Sequence, residues 1–266
     1  MTDWHSYDPI ANHYDRVWAS RFAAVAKEMW ALMPSSPGQN ILDLGTGTGI
    51  VPSLLSEDLH RSGLMVGCDK SRGMLDRAKT KLPWLHVLVA EITALPFVDE
   101  SFDLATASFV ISHVREYPCA LAEVFRVLKS SGTLAVSAWA PLTDPWAAAW
   151  KDHIAKAIST AEADRALAQV APLEEHFSVR GNLAAALTEA GFSNVSSHSL
   201  ELEFTLTVDE FLDDREISST GRLGRQILGP MGWVRFRAAA AEMFQARFGR
   251  SLQCHRTAFI VICRKP

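Results

Sequence analysis

Asp43-Leu44-Gly45-Thr46-Gly47-Thr48-Gly49, directly after Ile41-Leu42, is the stretch that decides how this chain folds. Glycines at alternate positions after a β-type run let the backbone turn sharply and let a ligand approach it closely. A helix expected over 49–60 would then present free N–H groups. A dinucleotide site asks for glycines at relative positions one, three and six. Here the sixth position is Ile50 and the third glycine comes early, at Gly49. So tight a loop suits a ligand without phosphates and argues against an NAD(P)-dependent oxidoreductase. The next β-type run ends in Asp69, twenty residues beyond Gly49. A carboxylate there can accept both hydroxyls of a ribose, each bond worth about 1.5–3 kcal/mol before losses. NAD sites share that feature, so it reports a nucleoside without saying which.

Outward from the loop, short β-type runs alternate with helical ones, as in a parallel sheet with crossover helices. The runs are 41–44, 64–68, 86–89, 103–109 and 133–139. Helical patterns lie between them over 49–60, 72–81 and 118–128. The last carries Leu121, Val124, Phe125 and Leu128 as one apolar stripe. Residues 15–33 read as an amphipathic helix with Trp18, Phe22, Val25 and Met29 on one face. Asp144-Pro145 reads as N-cap and first-turn proline of a helix through about Ile158. A helix over 182–190 ends at Gly191. Val195–Leu206 alternates apolar and polar residues, and Thr207-x-x-Glu210 is a capping box that opens another helix. A further helix follows the Gly229–Gly232 turn and stops at Gly249, and 257–262 is a buried-strand run. Strand, mostly helical stretch, strand is the pattern of an insertion into a final hairpin.

Composition narrows the class without choosing a function. The chain has 266 residues, 48% hydrophobic and 21% charged, with a net charge of −4. At about 150 residues per domain this is one large domain or one with an appendage, and it is not a disordered chain. Cys68, Cys119, Cys254 and Cys263 form no C-x-x-C pair, so a disulfide scaffold, zinc ribbon and thioredoxin-like motif are excluded. No set of ligands stands at metal-binding spacing. The first residues lack a basic segment followed by an apolar run, and no stretch approaches the roughly 18 apolar residues of a membrane span. The expectation is a cytoplasmic protein with no membrane span, and the acidic balance argues against a nucleic-acid partner.

Further motifs stand in order around the loop. Asp69 is followed by Lys70, Ser71, Met74 and Leu75, in the pattern D-x-S-x-x-M-L. Ala90-Glu91-Ile92-Thr93-Ala94-Leu95-Pro96-Phe97 follows the third strand. Phe102-Asp103 through His113 and then Glu123-Val124-Phe125-Arg126-Val127-Leu128-Lys129 follow in turn. Over about residues 7–139 the chain resembles the class I S-adenosylmethionine-dependent methyltransferases, specifically the small-molecule group that includes the ubiquinone/menaquinone-biosynthesis C-methyltransferases. The resemblance implies a Rossmann-like α/β fold. Its seven-stranded, mostly parallel sheet would carry helices on both faces, with a helical N-terminal cover (1–40), a cofactor-binding core (41–139), an acceptor-side region with a lid (140–256) and a closing strand (257–266), all in one domain. It also implies S-adenosylmethionine as cofactor. Asp43, Gly45, Thr46, Gly47 and Gly49 would wrap its methionine part, Asp69 would take the ribose, and Lys70 and Met74 would flank the adenine. Glu91 stands where the family usually has Asp for the adenine amino group, with Ile92 beside it. Ser108 completes the expected cofactor contacts. Ser130-Ser131 replaces the usual Pro-Gly.

Several residues carry two readings each. His113, just past the fourth strand, would be a general base or substrate contact, or would cap a helix or bond a carbonyl. Tyr7 and Tyr14 would cover the cofactor, or simply pack. Phe109, Trp139 and Trp146, with Trp150, would line a pocket for an aromatic or prenylated methyl acceptor, or belong to the core. Residues 207–256 hold eight arginines, no lysine and six acids, read as a solvated helix face in preference to an anion site. No Asp/Asn-Pro-Pro-Tyr/Phe follows the fourth strand, against amino-methylation of nucleic-acid bases, and no G-x-S-x-G elbow occurs. The expected reaction is methyl transfer to a small molecule. The alternatives are an NAD(P)-dependent oxidoreductase, disfavoured by the early third glycine, and a protein that binds the cofactor without turnover.

Overall fold

The computed structural model describes residues 4–55 and 63–266. Seven strands form one sheet in the order β3-β2-β1-β4-β5-β7-β6. They are β1 (Ile41–Leu44), β2 (Met65–Asp69), β3 (His86–Val89), β4 (Phe102–Ser108), β5 (Leu128–Trp139), β6 (Ser193–Thr207) and β7 (Ser251–Arg264). The first five run parallel, and β7 is antiparallel to both β5 and β6. Every residue of β1 is buried, as a central parallel strand covered on both faces requires.

Alternation along β1 sends its residues to different cores. Ile41 packs with Val25 and Met29 of α1 (Ala11–Leu32) and Ala78 of α2 (Arg72–Lys81). Leu42 and Leu44 face Leu121 and Val124 of α3 (Tyr117–Val127) and Leu183 of α7 (Arg180–Glu189). A third cluster sits beyond the sheet's end. There α4 (Pro145–Ile154), α5 (Thr160–Val170), α8 (Val208–Ile217) and α9 (Ser219–Phe248) enclose Trp150, Phe211, Trp233 and Phe244. The short α6 (Glu174–Phe177) lies between α5 and α7.

Most element bounds follow the apolar pattern, with five main differences. Strand β5 begins at Leu128, not at 133, and so takes the last residue expected of the preceding helix. The closing strand begins at Ser251, not at 257, because the polar residues Gln253 and His255 alternate with buried Leu252 and Cys254. Helix α4 stops at Ile154, four residues short of Ile158. Within the helix expected over 49–60 the described residues form only a 3-10 turn, Pro52–Leu54, and 56–62 lie outside the described residues. The turn expected over 229–232 is a break inside α9, where Gly229 adopts φ +67 before Pro230. The capping box at Thr207 and Glu210 has both of its reciprocal bonds. Among the described residues no helix is long and apolar enough to cross a membrane.

One buried carboxylate ties the N-terminal cover to the cofactor-side loop. Asp15 of α1 accepts from the Thr48 hydroxyl (2.8 Å), Lys81 Nζ (2.5 Å) and Arg77 Nε (3.0 Å). Burial opposes its charge, but these donors outweigh burial and hold its carboxyl below the usual Asp range. Thr48 is wholly buried, so removing its acceptor strands a hydroxyl. Asp15→Ala should therefore lower unfolding free energy by about 2–4 kcal/mol in urea denaturation at neutral pH. Because the folded pKa is depressed, Asp15 stabilises the fold above the ordinary carboxylate pKa. The gap between variant and wild type should shrink as pH falls below about 3.8.

Candidate cofactor and acceptor cavity

At the carboxyl end of β1 the chain makes the tight turn that its glycines allow. Gly45, Gly47 and Gly49 have φ of +62, +53 and +77, in the left-handed region that side chains disfavour. A Cβ on Gly45 would lie 2.4 Å from Val110, so nothing larger fits. At Gly49 a Cβ would meet Leu82 and Ala78, so this glycine serves packing against α2 and does not line the cavity. At Gly47 a Cβ would meet nothing closer than 3.9 Å, which leaves the space above the loop open to a ligand.

Asp69 ends β2 beside that space. Its Oδ2 accepts from the Gly47 N–H (2.9 Å) and its Oδ1 from the Ser71 N–H (2.9 Å). These bonds fix the carboxylate and leave further lone pairs facing the cavity. Burial pushes its pKa up, and the two amides work in the opposite direction. The Ser71 hydroxyl caps α2 by accepting from Met74 N (3.2 Å).

A cavity of about 390 Å³ opens here, where ligands bind in open α/β sheets. Gly45, Thr46, Gly47, Asp69, Lys70 and Met74 line one side. Glu91 and Ile92 line another, Glu91 exposed at the edge and Ile92 buried. Their loop is held by the Glu-x-x-Arg pair. Glu123 accepts from Leu95 N (2.8 Å), and Arg126 donates to the carbonyls of Leu95 (3.0 Å) and Phe97 (2.7 Å). Ser108, Phe109 and His113 line the third side, and Tyr7 and Tyr14 close it from the N-terminal segment.

Besides Gly49, three expected residues lie elsewhere. Asp43 is buried beneath the loop and accepts from the Thr106 hydroxyl (2.6 Å). Burial pushes its pKa up to about 7. Trp139 stands behind the wall, stacked on Phe109 at 4.2 Å between ring centres. Trp146 does not line the cavity. It is buried in the third cluster, packed on Phe211, with its indole N–H donated to the Gln253 carbonyl (3.2 Å). Its apolar body and one satisfied donor belong to a core. The arginine-rich segment is also only partly solvated: Arg225, Arg235, Arg247 and Arg250 are exposed, but Arg222 is buried and Arg256 lies over Trp139 at 4.4 Å. The sequence reading missed Phe22, Gln169 and Val170 as lining residues. Phe22 lay on the apolar stripe read as core, and Gln169 and Val170 carry no motif.

His113 Nδ1 lies 2.7 Å from the Val170 carbonyl oxygen. A carbonyl only accepts, so Nδ1 carries the proton and Nε2 keeps its lone pair. Burial lowers its pKa, which keeps the ring neutral at physiological pH. Tyr7 stands edge-on to both Tyr14 (5.9 Å) and His113 (6.2 Å). Burial raises both tyrosine pKa values, so both hydroxyls remain donors. The residues fit S-adenosylmethionine: an open glycine turn, a fixed carboxylate for a ribose, buried Met74 and Ile92 for a flat base, and neutral hydroxyl donors.

Comparison with known proteins agrees with this geometry. A family model described as a methyltransferase domain matches residues 42–136. A demethylmenaquinone methyltransferase of Streptomyces avermitilis is 29% identical over 212 residues, 73% of this chain and 87% of the relative. One from Renibacterium salmoninarum is 35% identical over 172 residues, 62% of this chain and 70% of the relative. Among solved structures, the Haemonchus contortus phosphoethanolamine N-methyltransferase 2 complex with S-adenosyl-L-methionine has a TM-score of 0.58 at 13% identity, covering 100% of this chain and 60% of that one. The YcgJ protein of Bacillus subtilis has 0.55 at 16%, covering 92% and 98%. At such identities these two share the fold.

Asp43 makes the loop's stability depend on pH. Its raised pKa means the folded chain holds a proton that the unfolded chain releases, so its stabilising contribution is complete below the ordinary Asp value and is lost as pH rises through about 7. Between about pH 4 and 8, wild type should lose on the order of a few kcal/mol relative to Asp43→Asn, whose amide does not titrate. Parallel unfolding curves across that range would show no divergence if Asp43 were ionised in the folded chain.

Proposed function

The chain belongs to the class I S-adenosylmethionine-dependent methyltransferases and methylates a small molecule, and we propose that its acceptor is aromatic or prenylated and loses a proton to His113. One observation carries the proposal. The lone pair of His113 Nε2 is set by the Val170 bond on a residue that lines the cavity together with Phe22 and Phe109. The two phenyl rings lie 5.0 Å apart, with Trp139 stacked behind Phe109. Such a wall suits a flat apolar acceptor. The two relatives named as demethylmenaquinone methyltransferases support an acceptor of this kind.

S-adenosylmethionine supplies a methyl group already activated by its sulfonium, so the chain's own part is binding, alignment and removal of one proton. Asp69 accepts ribose hydroxyls, Met74 and Ile92 pack the base, and the Gly45–Gly47 turn receives the methionine part. Tyr7 and Tyr14 donate to the carboxylate end and, with α1, exclude water. Phe22 and Phe109 hold the acceptor in line; positioning of this sort supplies on the order of 7–11 kcal/mol of a barrier. His113 Nε2 takes the proton from the acceptor's oxygen or carbon. The net charge of −4 supports a reading with no nucleic-acid partner, and the four free cysteines support a cytoplasmic setting.

Titration calorimetry should show S-adenosylmethionine binding that Asp69→Ala weakens at least about a hundredfold, through two lost charge-assisted bonds. An Asp69→Ala protein with wild-type affinity would remove the ribose assignment. With an acceptor drawn by product mass spectrometry from a panel of phenols and quinols, His113→Ala should cut turnover about a hundredfold while cofactor affinity stays within about twofold. The wild-type rate should fall as pH drops through a value below 6.5, where the ring gains its second proton. Unchanged turnover in His113→Ala would leave the histidine a purely structural bond to Val170.

A further inference from the structure

The N-terminal segment that carries Tyr7 is pinned from two directions. On the cofactor side, Asp8 Oδ1 accepts from the Gly73 N–H (2.8 Å) and the Ser71 hydroxyl (2.6 Å). A Cβ on Gly73 would lie 2.7 Å from the Asp8 backbone, so the segment sits directly on the first turn of α2. From the other direction the partner is Arg222, 216 residues away in the chain and only 7% exposed. Its Nη1 donates to the Ser6 carbonyl (2.8 Å), and its guanidinium carbon lies 4.6 Å from the centre of the Tyr7 ring. Its own place is fixed by the corner between α8 and α9. There Gly221 comes so close to the Arg215 carbonyl that a Cβ would lie 1.9 Å from that oxygen, and the Ser218 hydroxyl accepts from Gly221 N (3.2 Å). Tyr7 is thus held between a planar cation behind it and His113 and Tyr14 at its edges.

We propose that Arg222 is a positioning residue for methyl transfer, holding residues 6–10 closed over the cavity and fixing the Tyr7 ring within it. The inference rests on the reading of the cavity as the S-adenosylmethionine site. It gives the insertion between β6 and β7 a share in cofactor affinity, although that insertion lies outside the residues matched by the methyltransferase-domain model. A guanidinium suits the role because it can donate along its plane to a carbonyl while its face rests on an aromatic ring; an ammonium does only one of these well.

The test uses S-adenosylhomocysteine as probe, with calorimetry and amide hydrogen exchange on the full chain. In wild type, saturating probe should slow exchange in peptides covering 5–14. Arg222→Met should weaken binding about tenfold, the loss of one charge-assisted bond, and abolish that slowing while β1 and β4 exchange as before. Arg222→Lys should restore part of both. In an Asp8→Ala background Arg222→Met should cost much less than in wild type, because both act through one segment. Arg225→Met, on the exposed face of the same helix, should bind as wild type does. Wild-type affinity and wild-type protection of 5–14 in Arg222→Met, or losses that simply add in the Asp8→Ala background, would overturn the inference. If Arg222→Met exchanges globally, Arg222→Lys decides: wild-type affinity there also overturns it. A wild-type chain that binds no probe fails at the cofactor site itself and takes this inference with it.

Discussion

Everything in the site depends on where one carboxylate is held. Asp69 accepts one amide from the glycine turn and one from the start of α2, so two stretches far apart in sequence converge on its two oxygens. From there the connections run outward. Ser71, next to α2, donates to Asp8; the segment containing Asp8 carries Tyr7; and Arg222 secures that segment from the opposite side. A residue suited to ribose recognition is also the hub of the cavity's architecture. The cost is a desolvated acid with a raised pKa, offset by the two backbone donors.

The two sides of the cavity have different origins. The cofactor side comes from strand ends and turns whose backbone must adopt left-handed conformations or present bare amides. Such demands restrict residue type at fixed spacing. The opposite wall comes from Phe22 on α1, Phe109 after β4 and the segment around Val170. Those residues meet only through packing, which asks for an apolar ring or a carbonyl and accepts many sequences.

That difference explains what was legible before the fold was known. Strands β1 to β5 announced themselves through short apolar runs, and the glycine turn through spacing, because backbone geometry dictates both. The capping box at Thr207 was legible for the same reason. The start of β7 was not, since Gln253 and His255 alternate with buried neighbours in a pattern too short to separate from a loop. Trp146 was misplaced because an aromatic residue just past a strand end looks alike whether it faces a cavity or a core. Arg222 read as a solvated charge because its partners, a backbone carbonyl and an aromatic face, leave no trace in charge pattern. Long-range partners of this kind appear only when the chain is folded.

The insertion between β6 and β7 begins after Thr207 and ends before Ser251, and these two residues are paired neighbours across the hairpin. Its ends therefore meet at the spacing of adjacent strands, however long the excursion between them. Closing a longer excursion costs little more, since the penalty grows only with the logarithm of length. A descendant chain could exchange, shorten or elaborate α8 and α9 without shifting the register of a single strand. The sheet thus serves as a fixed chassis, and the helices inserted into its last hairpin are the part free to diversify.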